Sequence, residues 1–287
     1  MSPERVSWMA FVCVALAVPA AATERADVLR REIALPAGAR TVEIDNVFGG
    51  VEVRGGAGDR VAVEIRRTAT ARREADLALA FDEVTLVVDE WANGVALVQD
   101  GPFRCEARGR DRRGRRHRWG DCRWDPDYEL DWQWTVTVPA GVELEVRTVN
   151  GGAITVDGVR GGVSAANVNG PLRLAGLAGE VSAATVNGEI VAEYAIAPSA
   201  DASFETVNGS IEIVLPAGSS ADVDLETMNG ELWSDFAVTA APRRAEATAS
   251  RRGDRYRLDH DTRVRIGAGG PRFECKTLNG DIVLRER

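Results

Sequence analysis

A four-residue motif, Thr-Val-Asn-Gly or a close variant, recurs six times and constrains the fold more than any other feature of the chain. Its asparagines are Asn150, Asn169, Asn187, Asn208, Asn229 and Asn279. The first five are separated by 19, 18, 21 and 21 residues, and the sixth follows after 50. A fixed period near 20 is typical of solenoid proteins, because so short a unit can bury its apolar face only against its neighbours.

Asn-Gly between apolar stretches is also the usual signal for a two-residue β-hairpin. In such a hairpin the residues on either side of Asn-Gly lie opposite each other on one face of the sheet. Here the preceding residue is always apolar, whereas the following residue is polar or proline in five of the six repeats. Each hairpin would therefore pair an inward side chain with an outward one, which argues against six hairpins.

The apolar positions predict that each repeat is a strand, a bend and a second strand. Counted from the asparagine, positions −6, −4, −1, +3 and usually +5 are apolar. The apolar positions thus change from even numbers before the asparagine to odd numbers after it, and we call this the change of parity. Because strand side chains alternate between faces, the change of parity requires a bend near the threonine. We expect an all-β, parallel β-helix-like solenoid with rungs of about 18–21 residues and these positions inside. The asparagines would form a row at one corner, with amides that hydrogen-bond from rung to rung, and glycine would supply left-handed backbone angles there.

The N-terminus has the three-part layout of a secretory signal peptide. Charged residues at 1–5 precede an apolar run at 8–18 and a small-residue stretch that ends at Ala22. We assign residues 1–22 to the signal peptide and predict an exported protein of the periplasm or cell surface. A membrane anchor is the weaker interpretation, because the apolar run is far shorter than the ~20 residues that a spanning helix needs.

The remainder divides into an N-terminal β-rich part, residues 23–137, and the regular repeats, residues 138–287. The first part contains a helix predicted over 71–81 and an insertion over 101–126. A second polar insertion, over 241–270, is expected to hold one more rung and a loop, and is a candidate for covering the end of the solenoid. The formal net charge of −9 argues against a dedicated nucleic-acid-binding protein.

The first insertion is the sharpest candidate for a binding surface. Within it Cys105 and Cys122 flank an arginine-rich stretch, here called the arginine loop, and in an exported protein this placement favours a disulfide over two free thiols. The arginines between them could hold an anionic ligand through bidentate hydrogen bonds and cation–π stacking. The alternative is a solvated loop neutralised by Asp127, Glu129 and Asp131 of the next strand. The candidate contacts are Arg110, Arg112, Arg113, Arg115, Arg116 and Arg118.

The sequence indicates neither a metal site nor an active site. His117 and His260 are the only histidines, and neither has a ligand spacing with the cysteines. The carboxylates two residues after several of the asparagines would stack as a solvated row, without the acid and base that polysaccharide hydrolysis requires. Cys275 occupies an apolar position and is interpreted as a buried core thiol. We therefore expect no cofactor and no enzymatic activity.

The repeats resemble the bacterial putative-adhesin family. The similarity lies in Thr-Val-Asn-Gly-x-Ile-x-Val, in the Pro-Ala-Gly steps at 36–38, 139–141 and 216–218, and in the closing Thr-Leu-Asn-Gly-Asp-Ile-Val-Leu at 277–284. It is best over 138–287 and implies a right-handed β-helix-like fold, a cell-envelope setting and no known catalytic residues.

The leading hypothesis is accordingly a non-enzymatic adhesion or interaction module. Its partner would be a cell-surface glycan, a lipid or an envelope protein. Two alternatives stay open: an envelope-stress sensor that binds charged ligands through the arginine loop, and a polysaccharide-active β-helix enzyme.

Overall fold

The computed structural model describes residues 22–36, 38–104, 124–240, 250–252, 255–258 and 261–287. The described chain is mainly β-strand, with one helix, and its strands form two open, mixed sheets. Two predictions fall outside these ranges: the signal peptide, apart from Ala22, and the arginine loop with Cys105 and Cys122.

The first half of the described chain contains nine strands and the helix α1 (Glu74–Glu83), which covers the predicted helix with a small shift. In chain order these strands are β1 (Thr23–Ala34), β2 (Thr41–Asp45), β3 (Val51–Gly56), β4 (Arg60–Ala71), β5 (Thr85–Trp91), β6 (Gly94–Asp100), β7 (Tyr128–Pro139), β8 (Glu143–Arg147) and β9 (Ile154–Asp157).

The rest of the described chain supplies 14 further strands. These are β10 (Val163–Asn169), β11 (Leu172–Leu177), β12 (Val181–Asn187), β13 (Ile190–Tyr194), β14 (Ala202–Asn208), β15 (Ile211–Leu215), β16 (Ala221–Asn229), β17 (Leu232–Ser234), β18 (Val238–Ala240), β19 (Ser250–Arg252), β20 (Arg255–Leu258), β21 (Asp261–Ile266), β22 (Arg272–Asn279) and β23 (Ile282–Glu286).

Each repeat contributes one strand to each sheet. One sheet has 12 strands in the order β1-β4-β7-β3-β9-β11-β13-β15-β23-β17-β20-β19, and the other has 11 in the order β18-β21-β16-β22-β14-β12-β10-β8-β2-β6-β5. The repeat strands pair in parallel and in register, so that Asn169 aligns with Asn187 and Asn187 with Asn208. Equivalent positions of successive repeats therefore form rows that run across the strands.

The last repeat in the sequence does not occupy the last place in the sheets. Strand β22 lies between β14 and β16 and pairs in parallel with both. Strand β23 likewise lies between β15 and β17. The C-terminal 16 residues therefore separate two repeats that are neighbours in sequence, and the 50-residue gap before Asn279 gives no sign of this order.

The interior is formed by side chains at positions −6, −4, +3 and +5. Val181, Ala183, Ile190 and Ala192 of one repeat are all buried. The prediction for position −1 was wrong. In all six repeats that apolar residue is exposed, because inward alternation continues to the threonine and the change of parity falls later, around Gly.

The buried residue two positions before each asparagine hydrogen-bonds to a neighbouring repeat. Thr185 Oγ1 donates to the Gly170 carbonyl at 3.0 Å, and Thr206 Oγ1 donates to the Gly188 carbonyl at 3.0 Å. The same bond recurs in the other four repeats, with Asn167 in place of threonine in one of them. A buried hydroxyl is costly without a partner, so this carbonyl is what makes an inward threonine acceptable.

In five of the six repeats the glycine after the asparagine is required by close packing between repeats. A Cβ on Gly188 would lie 2.2 Å from the Gly170 carbonyl oxygen, and one on Gly209 would lie 1.9 Å from that of Gly188. Neither glycine has a positive φ, so the expectation that left-handed angles explain Asn-Gly was wrong for these two repeats: the glycine leaves room for the carbonyl that the threonine binds. The first repeat fits the expectation instead, since Gly151 has a φ of 85° and a Cβ there would meet nothing within 4 Å.

The asparagine side chains form a continuous row of amide hydrogen bonds. Asn187 Nδ2 donates to Asn169 Oδ1 at 2.9 Å, and Asn208 Nδ2 donates to Asn187 Oδ1 at 2.9 Å. The row extends to Asn150 at one end and, through Asn279, to Asn229 at the other. Every bond points the same way, so the two end residues make one ladder bond each and the four inner residues make two.

Antiparallel strands cover the end of the parallel region. Strand β21 pairs antiparallel with β16, and β20 pairs antiparallel with β17. The described strands of the second insertion therefore form a cap, with β20 in one sheet and β21 in the other, and they pair antiparallel with the repeat beside them. At the opposite end β1, β4 and β7 extend one sheet as an antiparallel group that packs against α1.

Charged pairs fasten the cap to β16. Arg263 donates to both carboxylate oxygens of Asp224, and Arg265 pairs with Asp222 at 2.7 Å. Arg272 of β22 donates to the same Asp224 carboxylate at 2.8 Å. The hydrogen bond from Arg263 is the main cause that lowers the pKa of Asp224; burial opposes it and the bond from Arg272 adds to it.

Replacing Gly188 by alanine is expected to lower the free energy of unfolding by about 1–3 kcal/mol, because the new methyl must push a neighbouring repeat away. Gly141→Ala is the matched control, since a Cβ there meets nothing within 4 Å. Urea unfolding of the two variants measures the difference. A Gly188→Ala variant as stable as the Gly141→Ala variant would refute the packing explanation.

The Asp224 pairs predict a pH dependence of stability. A carboxyl whose pKa is lowered by folding stabilises the protein above its unfolded-state pKa of about 4, and this contribution fades as the pH falls through the folded-state pKa. Asp224→Asn should therefore be less stable than wild type at about pH 6, with a smaller deficit at about pH 2.5. Urea unfolding at both pH values tests this, with Glu90→Gln on exposed β5 as control. An equal deficit at both values would contradict the interpretation.

Candidate functional site

The exposed apolar residues at position −1 form a row on the outer face of the 11-stranded sheet. Their exposed fractions range from 36% to 71%. In spatial order the row contains Val149, Val168, Val186, Val207, Leu278 and Met228. We call these six residues the apolar row. Six strands at a spacing of about 4.8 Å make it roughly 24 Å long.

A groove of about 540 Å³ runs beside the apolar row. Val186, Val207, Leu278 and Met228 form one wall, and the residues at position −3 form the other. Alternation explains this geometry, because positions −3 and −1 both point outward while the threonine between them points into the core. The floor is therefore backbone, and the walls are two rows of side chains.

The second wall changes character along its length. At one end it carries the small residues Ala166 and Ala184, which leave the sheet face flat. At the other end Lys276 aligns with Glu205 on one side and Glu226 on the other. The groove thus combines a largely uncharged section with a section of alternating charge whose sum is −1.

The groove presents charged and apolar side chains side by side. Glu205 and Glu226 project from the same face of one sheet, with Lys276 on the strand between them. Cys275 is fully buried, and burial raises the pKa of its thiol, so it is not a nucleophile at neutral pH.

The two ends of the arginine loop meet in an aromatic cluster. The ring centroids of Phe103 and Trp124 lie 5.4 Å apart, and Phe48 contacts both rings at 5.1 and 5.4 Å. Arg104 anchors the same point by donating to the Asp45 carboxylate at 2.7 Å. The Cys105–Cys122 disulfide and the six candidate arginine contacts lie outside the described residues and stay predictions.

A larger cavity, of about 700 Å³, lies between the end of β4, the start of α1 and the start of β7. Of its two cationic residues, Arg73 is paired with Asp76 at 2.7 Å and with Asp127 at 2.8 Å, whereas Arg72 is exposed. Tyr128, which also lines the cavity, donates a hydrogen bond from its hydroxyl to Glu83 at 2.9 Å. The cavity thus combines a paired and an exposed arginine with carboxylates, among them Glu129.

Within the ranges that the structure describes, no group of three or more His, Cys, Asp or Glu residues is placed to hold a metal ion. In the same ranges no helix has the length and apolar character needed to cross a bilayer.

Sequence reasoning missed the apolar row. The signal was present, since an apolar residue precedes the asparagine in all six repeats. We assigned it to the core because apolar residues usually lie inside. In the structure the threonine of the motif points inward and donates a hydrogen bond to a glycine carbonyl. The residue after it points outward and is exposed.

No protein-family model and no curated protein sequence matches the chain. Among solved structures the chain is similar to a putative cell adhesion protein from Clostridium sporogenes, with 10% identity and a TM-score of 0.38, covering 92% of this chain and all of that one. It is also similar to a putative adhesin from Bacteroides fragilis, with 10% identity and a TM-score of 0.27, covering 91% and 97% of the two chains.

A third similar structure is a putative lipid binding protein from Parabacteroides distasonis, with 9% identity and a TM-score of 0.32, covering 91% of this chain and 97% of that one. Likeness at these identities and TM-scores carries no conclusion about the partner of this chain.

Proposed function

We propose that this protein is a non-enzymatic interaction module, of adhesin type, that acts in the periplasm or at the cell surface. The observation that carries the proposal is the apolar row with its adjoining groove. Aligned, exposed apolar side chains on a soluble protein are typical of surfaces that contact a partner. The signal-peptide pattern at residues 1–22 supports an exported location.

We further propose that the two sheets are walls of a right-handed β-solenoid. The parallel, in-register pairing of equivalent strands and the alternation of each repeat between the two sheets support this architecture. A solenoid suits an interaction module because repetition extends one kind of surface position into a long, nearly straight row. The row is held rigid by the core, so little conformational entropy is lost when a partner binds it.

The chemistry of the groove favours a partner with an extended apolar portion. Valine, leucine and methionine offer dispersion contacts and area burial, and the wall contains no aromatic ring on which a sugar could stack. Among the three partner classes expected from the sequence, an envelope protein or a lipid therefore fits the groove better than a glycan.

The test is binding of the purified protein to isolated envelopes of the producing bacterium, compared between wild type and the triple variant Val186→Ser, Val207→Ser, Leu278→Ser. We expect at least about a tenfold loss of affinity, which corresponds to about 1.4 kcal/mol of lost contact energy. All three side chains are exposed, so the fold should be retained. Phospholipid vesicles, purified glycan and protease-treated envelopes then identify the partner class.

A matched control comes from the opposite sheet. Val191→Ser, Val214→Ser, Val283→Ser removes three outward valines there and should leave binding unchanged. Binding that is equal in the row variant and in wild type would exclude the apolar row as the contact surface.

A further inference from the structure

The C-terminal segment 272–287 fills a slot that the rest of the chain forms around it. Strands β14 and β16 belong to repeats that follow each other in the chain, with β15 and the connector 216–220 between them, yet they stand two strand spacings apart, about 9.6 Å. The slot between them accepts one strand in each sheet. Strands β22 and β23 occupy it and hydrogen-bond on both sides.

The contacts inside the slot are those of a core. Phe273, Cys275, Ile282 and Leu284 are completely buried. Phe273 contacts Tyr194 and Phe204, with ring centroids 5.4 and 6.1 Å away.

The segment also completes both rows of polar bonds. Thr277 Oγ1 donates to the Gly209 carbonyl at 2.9 Å. Asn279 donates to Asn208 and accepts from Asn229. Without this segment the repeat that contains β16 and β17, together with its antiparallel cap, would have no parallel partner in either sheet.

The segment is joined to the rest of the molecule by a turn rich in glycine. Residues 267–271 read Gly-Ala-Gly-Gly-Pro, and Gly267 and Gly269 have φ angles of 56° and 77° that other residues rarely adopt. This turn carries the chain from β21, on one side of β16, to β22 on the other.

We propose that the slot binds segment 272–287 of a second copy of this chain, linking copies by strand exchange. The partner's segment has the same sequence and makes the same buried contacts, so the two arrangements differ only in the glycine turn and in protein concentration. Exchange occurs during folding, when the slot has formed and its own segment is not yet in place.

A disulfide trap tests the exchange on the full-length protein. Ser203 of β14 and Glu274 of β22 are register partners on the outer face. Ser203→Cys in unlabelled protein and Glu274→Cys in ¹⁵N-labelled protein are unfolded together, refolded over a series of concentrations and then oxidised. Mass spectrometry detects the peptide pair that joins positions 203 and 274 across a light and a heavy chain.

We expect the light–heavy pair to rise with protein concentration and to exceed a control pair by at least about tenfold at the highest concentration. The control is Ser182→Cys with Glu274→Cys: position 182 lies one strand beyond 203, too far from 274 for a disulfide.

The double variant Ser203→Cys, Glu274→Cys, at low concentration, should form the same bond within one chain. If it does so while the light–heavy pair never exceeds the control at any concentration, the slot accepts only its own segment and the proposal is overturned. Failure of the double variant to close would refute the placement of β22 itself. Neither result depends on the apolar row, so the trap and the envelope-binding assay fail independently.

Discussion

The structure depends on one arrangement at a glycine carbonyl. A threonine hydroxyl donates a hydrogen bond to this carbonyl, and a second glycine, which has no Cβ, lets the carbonyl approach closely. Thr206 Oγ1 donates to the Gly188 carbonyl, and the absence of a Cβ on Gly209 lets that carbonyl approach. Either residue alone would be unfavourable, since a buried hydroxyl without a partner and a glycine within a strand both cost free energy. Together they fix the distance and the register between repeats.

This constraint explains why the apolar row is so regular. Once threonine is fixed inward and asparagine lies in the amide row, the residue between them must point outward. An apolar residue at that position becomes part of a row whether or not its neighbours in sequence are alike, as the change from Val207 to Leu278 to Met228 shows. The same constraint lets a distant segment join, because Thr277 and Asn279 carry the same bonding groups as their neighbours.

The sequence predicts much of this architecture because the repeat pattern is local. The period, the parallel pairing of strands and the inward positions −6 and −4 follow from spacing and alternation alone. The outward direction of Val186 could not be predicted, since it depends on where the change of parity falls, and that is set by contact between Gly188 and Gly170. The place of β22 was also out of reach, because any repeat has the bonding groups to lie beside any other.

The candidate site could likewise be predicted only in part. The sequence contains its six apolar residues, but their exposure on the outer face depends on where the change of parity falls. The Thr-x-Asn-Gly bonds, repeated from strand to strand, therefore determine the register of the whole stack.

The free energy of unfolding of single asparagine variants tests this claim most directly. Asn187→Ala and Asn208→Ala each remove two ladder bonds, whereas Asn150→Ala and Asn229→Ala each remove one. At about 1 kcal/mol per hydrogen bond, we expect the inner variants to lose roughly twice as much stability as the end variants. Equal losses at all four positions, or no loss at any, would contradict the account.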